Sequence, residues 1–274
     1  MLFSNAIFHM SYFRMNMICS HSLKIHFLAN RSDDAQSCCA ALIERYGQVN
    51  EADAEVIVAL GGDGFMLQTQ LRFMDSGKPV YGMNKGTVGF LMNEFHLDDL
   101  PARITRATSA NIHPLKMQVR TADGSIHHST AFNEVSLFRQ SAQAARLKVE
   151  IDGKERLETL ICDGLMVATP QGSTAYNLSA HGPILPLNAP LLALTPVSPF
   201  RPRNWRGALL PNLSRVRITV LEAEKRPVNA VADNTEFKSA LEVEVHEDRD
   251  SIGILLFDPE HSWEERILDE QFRY

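Results

Sequence analysis

Apolar runs alternate with helically spaced apolar residues along the first 110 residues of the chain. Three strands and two helices are predicted there: strands Lys24–Ala29, Ala54–Leu60 and Pro79–Met83, and helices Asp34–Tyr46 and Phe65–Met74. The continuous apolar run Ala54–Leu60 is typical of a strand that is buried on both faces of a parallel sheet. Strands that alternate with helices in short steps predict a doubly wound α/β domain at the N-terminus.

Beyond Asn111 the pattern changes to short strands. Those predicted are Leu115–Arg120, Ala131–Arg139, Ala145–Ile151, Leu160–Thr169, Val216–Glu222, Val228–Ala232 and Leu241–His246. Asp152-Gly153 follows an alternating run directly, which is a strong hairpin signal. We therefore expect a second domain, from 111 to 250, that consists mainly of antiparallel β-strands.

The last part of the chain returns to the first pattern. Ile252–Phe257 is one more apolar strand, and Trp263–Gln271 has the apolar spacing of a short helix. We expect this tail to pack back on the first domain. The α/β domain would then comprise residues 23–110 together with 251–274.

The N-terminal 22 residues form a separate segment. They are mildly apolar, but His9 and Arg14 interrupt them, which fits neither a signal peptide nor a membrane span. The segment predicts a flexible extension, or a translation start at Met15 or Met17. No other run approaches the length of a span, so we expect a soluble cytoplasmic protein with no membrane partner.

Composition and charge indicate what kind of protein this is. Hydrophobic residues make up 45% and charged residues 22% of the 274 positions, as in ordinary globular proteins. The net charge of −6 argues against a nucleic-acid partner. The four cysteines (Cys19, Cys38, Cys39 and Cys162) lack the spacing of a zinc site and indicate thiols in a reducing cytosol.

The turn Gly61-Gly62-Asp63-Gly64 joins a buried strand to a helix. Glycines there allow a ligand to approach the backbone, and the helix N-terminus attracts phosphate. A carboxylate in such a loop suits a metal ion or a proton taken from an attacking hydroxyl. The alternative is a tight turn in which Asp63 caps the helix.

Two further polar segments are candidates for ligand binding. Asn133 and Glu134 interrupt the apolar run Ala131–Arg139, and an inward Glu needs a partner such as a ribose hydroxyl or an adenine amine. The alternative is a polar pair at the end of a strand near solvent. In the segment 163–177, hydroxyls and free N–H groups could contact a nucleotide, with Tyr176 available to stack on it. The alternative is that Ser173 or Thr174 caps a helix.

Four motifs in this order carry a family resemblance: GGDG at 61–64, GMNKGTVGFL at 82–91, FNEVSLFR at 132–139 and DGLMVATPQGSTAYNLSAHGPILP at 163–186. Together they make the chain similar to the bacterial NAD kinase family from about Ile25 to the C-terminus. The first motif is weakly specific because lipid kinases share it, whereas the last is highly specific.

The resemblance implies an activity and a set of roles. The γ-phosphoryl group of ATP would pass to the 2′-hydroxyl of the adenosine ribose of NAD, with Asp63 as the catalytic residue. The implied ATP-binding residues are Gly61, Gly62 and Gly64. The implied NAD-binding residues are Asn133, Glu134, Thr174, Ala175 and Tyr176. Asp163 would contact the nicotinamide end of NAD, either within one subunit or across a subunit boundary.

The resemblance also implies Mg²⁺ or another divalent cation between the phosphates, with no protein ligand assigned, and a homodimer or homotetramer. Three positions depart from the family pattern: Gln171, where a small residue is usual, and His181 and Asn234, where Gly is frequent. Two rival functions remain, a lipid-type kinase that shares the GGDG turn and a non-catalytic NAD-binding sensor. The segment Gly86–Phe90 lacks the Gly-Thr-x-Asn-Asp stretch expected of a lipid kinase. The presence of Asp63 argues against a non-catalytic sensor.

Overall fold

The computed structural model describes residues 22–86, 89–261 and 263–272. The prediction of an N-terminal extension falls on residues 1–22, so all of it except Ser22 lies outside the described residues. Within the described ranges, no helix has both the length and the apolar character that crossing a membrane requires.

The strands, in chain order, are β1 (Ile25–Ala29), β2 (Val56–Gly61), β3 (Val80–Asn84), β4 (Thr108–Ile112), β5 (Leu115–Thr121), β6 (Ile126–Ala131), β7 (Glu134–Arg139), β8 (Ala145–Ile151), β9 (Lys154–Cys162), β10 (Gly164–Ala168), β11 (Leu191–Val197), β12 (Ala208–Pro211), β13 (Val216–Val220), β14 (Val228–Ala232), β15 (Thr235–Phe237), β16 (Ala240–Glu247) and β17 (Gly253–Phe257). The helices are α1 (Asp33–Tyr46), α2 (Asp63–Phe73), α3 (Leu100–Arg106), α4 (Tyr176–Ser179) and α5 (Trp263–Gln271).

The first sheet has the order β1-β2-β3-β17-β4, parallel except for the edge strand β4. All six residues of β2 are buried, because helices cover both faces of the sheet. Ile57 and Ala59 pack in one cluster with residues of α2 and α5. Val58 and Leu60 point to the other face and pack with residues of α1 and α3. This arrangement confirms the predicted α/β layer.

The C-terminal tail belongs to this layer, as the sequence predicted. Strand β17 lies between β3 and β4. On α5, Trp263 and Ile267 are 2% and 5% exposed and lie in the same apolar cluster as Met66 of α2. The tail therefore completes the sheet and covers one of its faces.

Two six-stranded antiparallel sheets form the rest of the molecule. Their orders are β12-β11-β10-β7-β14-β15 and β6-β5-β16-β13-β8-β9. Strands β5 and β8 alternate buried and more exposed residues, as expected when only one face is covered. Residues from both sheets share one apolar cluster, so the sheets pack face to face as a sandwich.

Two predicted strands are each broken in the structure. The run Ala131–Arg139 is wrong as one strand, because β6 ends at Ala131 and β7 begins at Glu134. The run Leu160–Thr169 is likewise divided at Asp163, between β9 and β10. In both cases the chain crosses from one sheet of the sandwich to the other. Asn133 and Asp163 therefore lie where the chain passes from one sheet of the sandwich to the other.

Gly172 fixes the loop that follows β10. A Cβ at this position would lie 2.0 Å from the backbone oxygen of Asn133 and 2.4 Å from its carbonyl carbon. We expect Gly172→Ala to lower the free energy of unfolding by about 1–3 kcal/mol, because backbone has to move to admit the methyl group. Urea denaturation followed by circular dichroism measures this change.

Gly64→Ala is the matched control, since a Cβ there would meet nothing within 4 Å among the described residues. It lies in α2, where Ala is favoured over Gly, so we expect unchanged or slightly higher stability. Equal stability of Gly172→Ala and the wild type would contradict the close packing of this loop on Asn133.

Candidate active site

The carboxyl ends of three parallel strands meet at one edge of the first sheet. Asn30, after β1, donates its backbone N–H to Leu60 of β2 at 2.9 Å. Lys85, after β3, donates its backbone N–H to Gly61 at 2.7 Å. The loops after β1, β2 and β3 are thus tied together, at the place where open α/β sheets usually bind ligands.

The glycines of the turn 61–64 have different surroundings. A Cβ on Gly61 would lie 2.9 Å from the Cβ of Phe65, so this glycine is required by packing. Cβ atoms on Gly62 and Gly64 would meet none of the described residues within 4 Å. The turn therefore presents bare backbone to open space at the beginning of α2, where free N–H groups and the helix dipole favour an anion.

Asp63 is the first residue of α2, but its side chain does not cap the helix. The cap position is occupied by Gly62, and no side-chain capping bond is found there. The carboxylate instead accepts hydrogen bonds from the backbone N–H groups of Phe90 (2.9 Å) and Leu91 (3.0 Å). The alternative interpretation of Asp63 as a helix cap is therefore wrong.

The electrostatic surroundings of Asp63 favour proton uptake. Burial raises the pKa of its carboxyl group, and the two backbone N–H groups and the nearby charge of Arg266 only partly offset this. A carboxylate whose pKa is raised in this way is a better proton acceptor than one in water.

Asn133 and Glu134 are organised by a second partly buried carboxylate, that of Asp233. Asp233 accepts backbone N–H bonds from Phe132 (2.7 Å), Asn133 (3.0 Å) and Glu134 (3.2 Å). These bonds fix the backbone of residues 132–134 at the beginning of β7. Asp233 was not predicted as a site residue, because it lies 100 residues from Asn133 along the chain.

Glu134 carries an unsatisfied buried oxygen. Its Oε2 is buried and has no hydrogen-bond partner among the described residues. Burial, followed by the charge of Asp233, raises the pKa of Glu134 to about 7. Because an unpartnered buried carboxylate oxygen is costly, this atom is suited to a ligand that brings its own donor.

The loop after β10 places its hydroxyls inward. Ser173 donates to the carbonyl of Pro170 at 2.6 Å and accepts the N–H of Leu185 at 2.9 Å. Thr174 donates to the carbonyl of Gln171 at 3.3 Å. Helix α4 begins at Tyr176 with Ala175 at its cap position, so neither hydroxyl serves as the helix cap that the alternative interpretation required.

Gln171 connects this loop to both other segments. Its Nε2 donates to Oε1 of Gln70 on α2 at 3.1 Å and lies 3.3 Å from Oδ1 of Asn133. Gln70 and Gln171 are 1% and 3% exposed. The amide pair therefore joins the helix that begins with Asp63 to the segment of Asn133, and no pattern in the sequence indicated Gln70.

Tyr176 and Asp163 lie further along the same surface. The Tyr176 ring is 43% exposed and its centroid lies 5.6 Å from that of Phe138, in edge contact. Phe138 pairs with Gly164, the residue after Asp163. The Asp163 carboxylate is held 2.6 Å from Nε of Arg139. Asp163 and Tyr176 thus both lie at the Phe138–Arg139 end of β7, opposite the end that begins with Glu134.

His181, where Gly is frequent in the family pattern, has a φ of 62°. This left-handed conformation explains why glycine is favoured there. The Asn234 position is different, because positive φ occurs at Asp233 (47°) and not at Asn234.

Comparison with known proteins places these features in a family. Residues 10–111 match the ATP-NAD kinase N-terminal domain, and residues 132–247 match the ATP-NAD kinase C-terminal domain. The NAD kinase of Brucella suis biovar 1 (strain 1330) is 61% identical over 253 residues, which cover 92% of this chain and 98% of the relative. The NAD kinase of Mesorhizobium japonicum is 58% identical over 250 residues, 91% of this chain and 97% of that protein.

Two solved structures share the fold at low identity. Yeast NADH kinase complexed with NADH has a TM-score of 0.78 and 22% identity, covering 92% of this chain and 88% of its own. An NAD kinase from Archaeoglobus fulgidus in complex with ATP has a TM-score of 0.70 and 20% identity, covering 87% and 95%. The two domain matches and the identity to curated relatives show that the chain belongs to the NAD kinase family.

Proposed function

We propose that this NAD kinase transfers the γ-phosphoryl group of ATP to the 2′-hydroxyl of the adenosine ribose of NAD where the turn 61–64 faces Asn133 and Glu134. The observation that carries the proposal is the position of Asp63. It is a partly buried carboxylate beside an open glycine turn, and its side chain does not cap the helix. The Gln70–Gln171 pair ties its helix to Asn133.

The triphosphate would bind at the turn 61–64. Gly62 and Gly64 leave the backbone open, and the beginning of α2 supplies N–H groups and a favourable dipole. The relative from Archaeoglobus fulgidus was solved with ATP, which supports a nucleoside triphosphate as donor.

Asp63 then acts as the proton acceptor. The 2′-oxygen forms a bond to the γ-phosphorus while the bond from that phosphorus to the bridging oxygen of ADP breaks. The hydroxyl proton passes to the Asp63 carboxylate, and ADP leaves with the electrons of the broken bond. Phosphoryl transfer asks the protein mainly for positioning and electrostatics, which the two backbone bonds to Asp63 supply.

NAD would lie along β7. Its adenosine would contact Asn133, Glu134, Thr174 and Ala175, with Tyr176 against the base and Asp163 at the nicotinamide end. Five residues of β7, from Glu134 to Phe138, span about 14 Å, which suits an extended dinucleotide. Yeast NADH kinase, whose fold is similar, was solved with NADH.

A divalent cation would enter with the triphosphate. The described residues include no group of three His, Cys, Asp or Glu side chains placed to hold a metal ion. Both oxygens of Asp63 are already engaged by backbone N–H groups. We therefore propose that the phosphates of the triphosphate bind the cation, with no protein ligand assigned.

We also propose a cytoplasmic homo-oligomer, a dimer or a tetramer. Strand β12 is an edge strand of the sandwich, and Leu209 and Leu213 at this edge are 51% and 67% exposed. Exposed apolar residues on a sheet edge favour contact with a second copy.

Asp63→Asn tests the catalytic role. We expect kcat to fall by about 10²–10⁴-fold, because the amide has a similar shape but cannot take the proton. Binding of NAD, measured by calorimetry, is expected to persist. NADP formation from NAD and ATP with Mg²⁺ gives the rate.

Asp248→Asn is the matched control for Asp63→Asn. Asp248 is buried and, like Asp63, accepts a backbone N–H, that of Asp250, at 3.2 Å, but it pairs with Lys116 in the sandwich. We expect this variant to keep the wild-type kcat. An Asp63→Asn enzyme that retains more than about a tenth of kcat would contradict the role of Asp63.

The raised pKa of Glu134 predicts that NAD binding depends on pH. Its pKa is raised to about 7, so the acceptor form of the carboxylate is present above that pH and is lost as the pH falls. Below pH 7 we expect the KM for NAD to rise by up to about tenfold per pH unit, and Glu134→Gln to give a weaker but flat profile. Steady-state kinetics from pH 5.5 to about 8.5 measure both profiles; parallel slopes in the two enzymes would refute the assignment.

A further inference from the structure

The C-terminal helix places a guanidinium group behind the segment that holds Asp63. Arg266 of α5 donates from Nη1 to the backbone oxygen of Phe90 at 2.6 Å and lies 3.5 Å from that of Gly89. The N–H groups of Phe90 and Leu91 are the ones that bind the Asp63 carboxylate.

These contacts involve the same two peptide groups. The oxygen of Gly89 and the N–H of Phe90 belong to one peptide unit, and the oxygen of Phe90 and the N–H of Leu91 belong to the next. A trans peptide points its C=O and N–H in opposite directions. Each unit therefore has the arginine at its oxygen end and the aspartate at its nitrogen end.

We propose that Arg266 is a positioning residue for Asp63, and that it acts through the peptide groups 89–90 and 90–91. The proposal rests on the proposed catalytic role of Asp63. Arg266 fixes the direction of the N–H groups, and hydrogen bonds in such a chain polarise and strengthen one another. The Phe90–Leu91 peptide carries most of the effect, since both of its bonds are short (2.6 and 3.0 Å).

Arg266 is itself held in place. Its guanidinium lies 5.4 Å from the ring centroid of Phe257, and its Nη2 lies 3.5 Å from Oδ1 of Asn93. Asn93 is fully buried and donates to Gly82 and Leu256 at 3.1 and 3.0 Å. The neighbouring Ile267 is buried in the core. The arginine is thus fixed by the tail strand and helix together.

The electrostatic consequence has a definite sign. The positive charge of Arg266 lowers the pKa of Asp63 against the effect of burial. Among the described residues, Asp258, Tyr81 and Glu94 are further titratable groups whose charges act on Arg266. Arg103 pairs with Asp258 and lies over the Tyr81 ring. Loss of the Arg266 charge therefore raises the pKa of Asp63 and moves the acidic limb of the rate profile to higher pH.

The test compares Arg266→Met and Arg266→Lys with the wild type, with kcat measured against pH at saturating NAD so that Glu134 does not contribute. We expect Arg266→Met to lower kcat by about 10–100-fold and to shift its acidic limb upward, with little change in the KM for NAD. Arg266→Lys keeps the positive charge but lacks the planar guanidinium with its several N–H donors. We therefore expect its acidic limb to lie at the wild-type pH and its kcat to lie between those of Arg266→Met and the wild type.

Ile267→Val is the structural control, because it loosens the same helix without changing a charge. We expect it to leave the acidic limb where it is in the wild type. A wild-type kcat and pH profile in Arg266→Met would overturn the proposal. A fall in kcat with an unshifted acidic limb would also overturn it, if Ile267→Val lowers kcat in the same way. Failure of the proposed function is separate, since it would appear as activity in Asp63→Asn.

Discussion

The partial burial of two carboxylates, Asp63 and Asp233, is the constraint on which the site depends. A carboxylate away from water has to receive hydrogen bonds, and both of these receive them from backbone N–H groups. Asp63 takes those of Phe90 and Leu91, and Asp233 takes those of residues 132–134. Each carboxylate thereby fixes a stretch of backbone: Asp63 is itself held by Phe90 and Leu91, and Asp233 holds Asn133 and Glu134, which are assigned to NAD.

The α/β layer and the sandwich need a defined relative position for phosphoryl transfer, because the donor and the acceptor are assigned to different layers. The reciprocal amide pair of Gln70 and Gln171 provides one such link. Within the sandwich, the missing side chain of Gly172 lets the loop of Gln171 lie directly on the backbone of Asn133. A residue as large as Gln at position 171 is therefore accommodated by a partner on α2.

Much of the fold follows from local sequence pattern. The buried run of β2, the alternation along β8 and the hairpin signal Asp152-Gly153 each specify their element without distant information. Strand β11 was not predicted, because it follows Pro190 and contains Pro196, and proline normally argues against a strand interior. The breaks at Asn133 and Asp163 were also missed.

The site could be predicted only in part. Motifs indicated Asp63, Glu134 and Tyr176, because each lies in a local cluster of unusual residues. The groups that hold them come from far along the chain: Asp233 is 100 residues from Asn133, and Arg266 is 176 residues from Phe90. Only the folded chain brings these partners together, so spacing in the sequence could not reveal them.

The central claim is that Asp63 meets the 2′-hydroxyl of NAD at the turn 61–64. A crystal structure of the enzyme with NAD and a non-hydrolysable ATP analogue tests it most directly. The account predicts that the 2′-oxygen lies about 2.6–3.2 Å from a carboxylate oxygen of Asp63, with the γ-phosphate on its other side. A ribose bound beyond the reach of even one bridging water from Asp63 would contradict it.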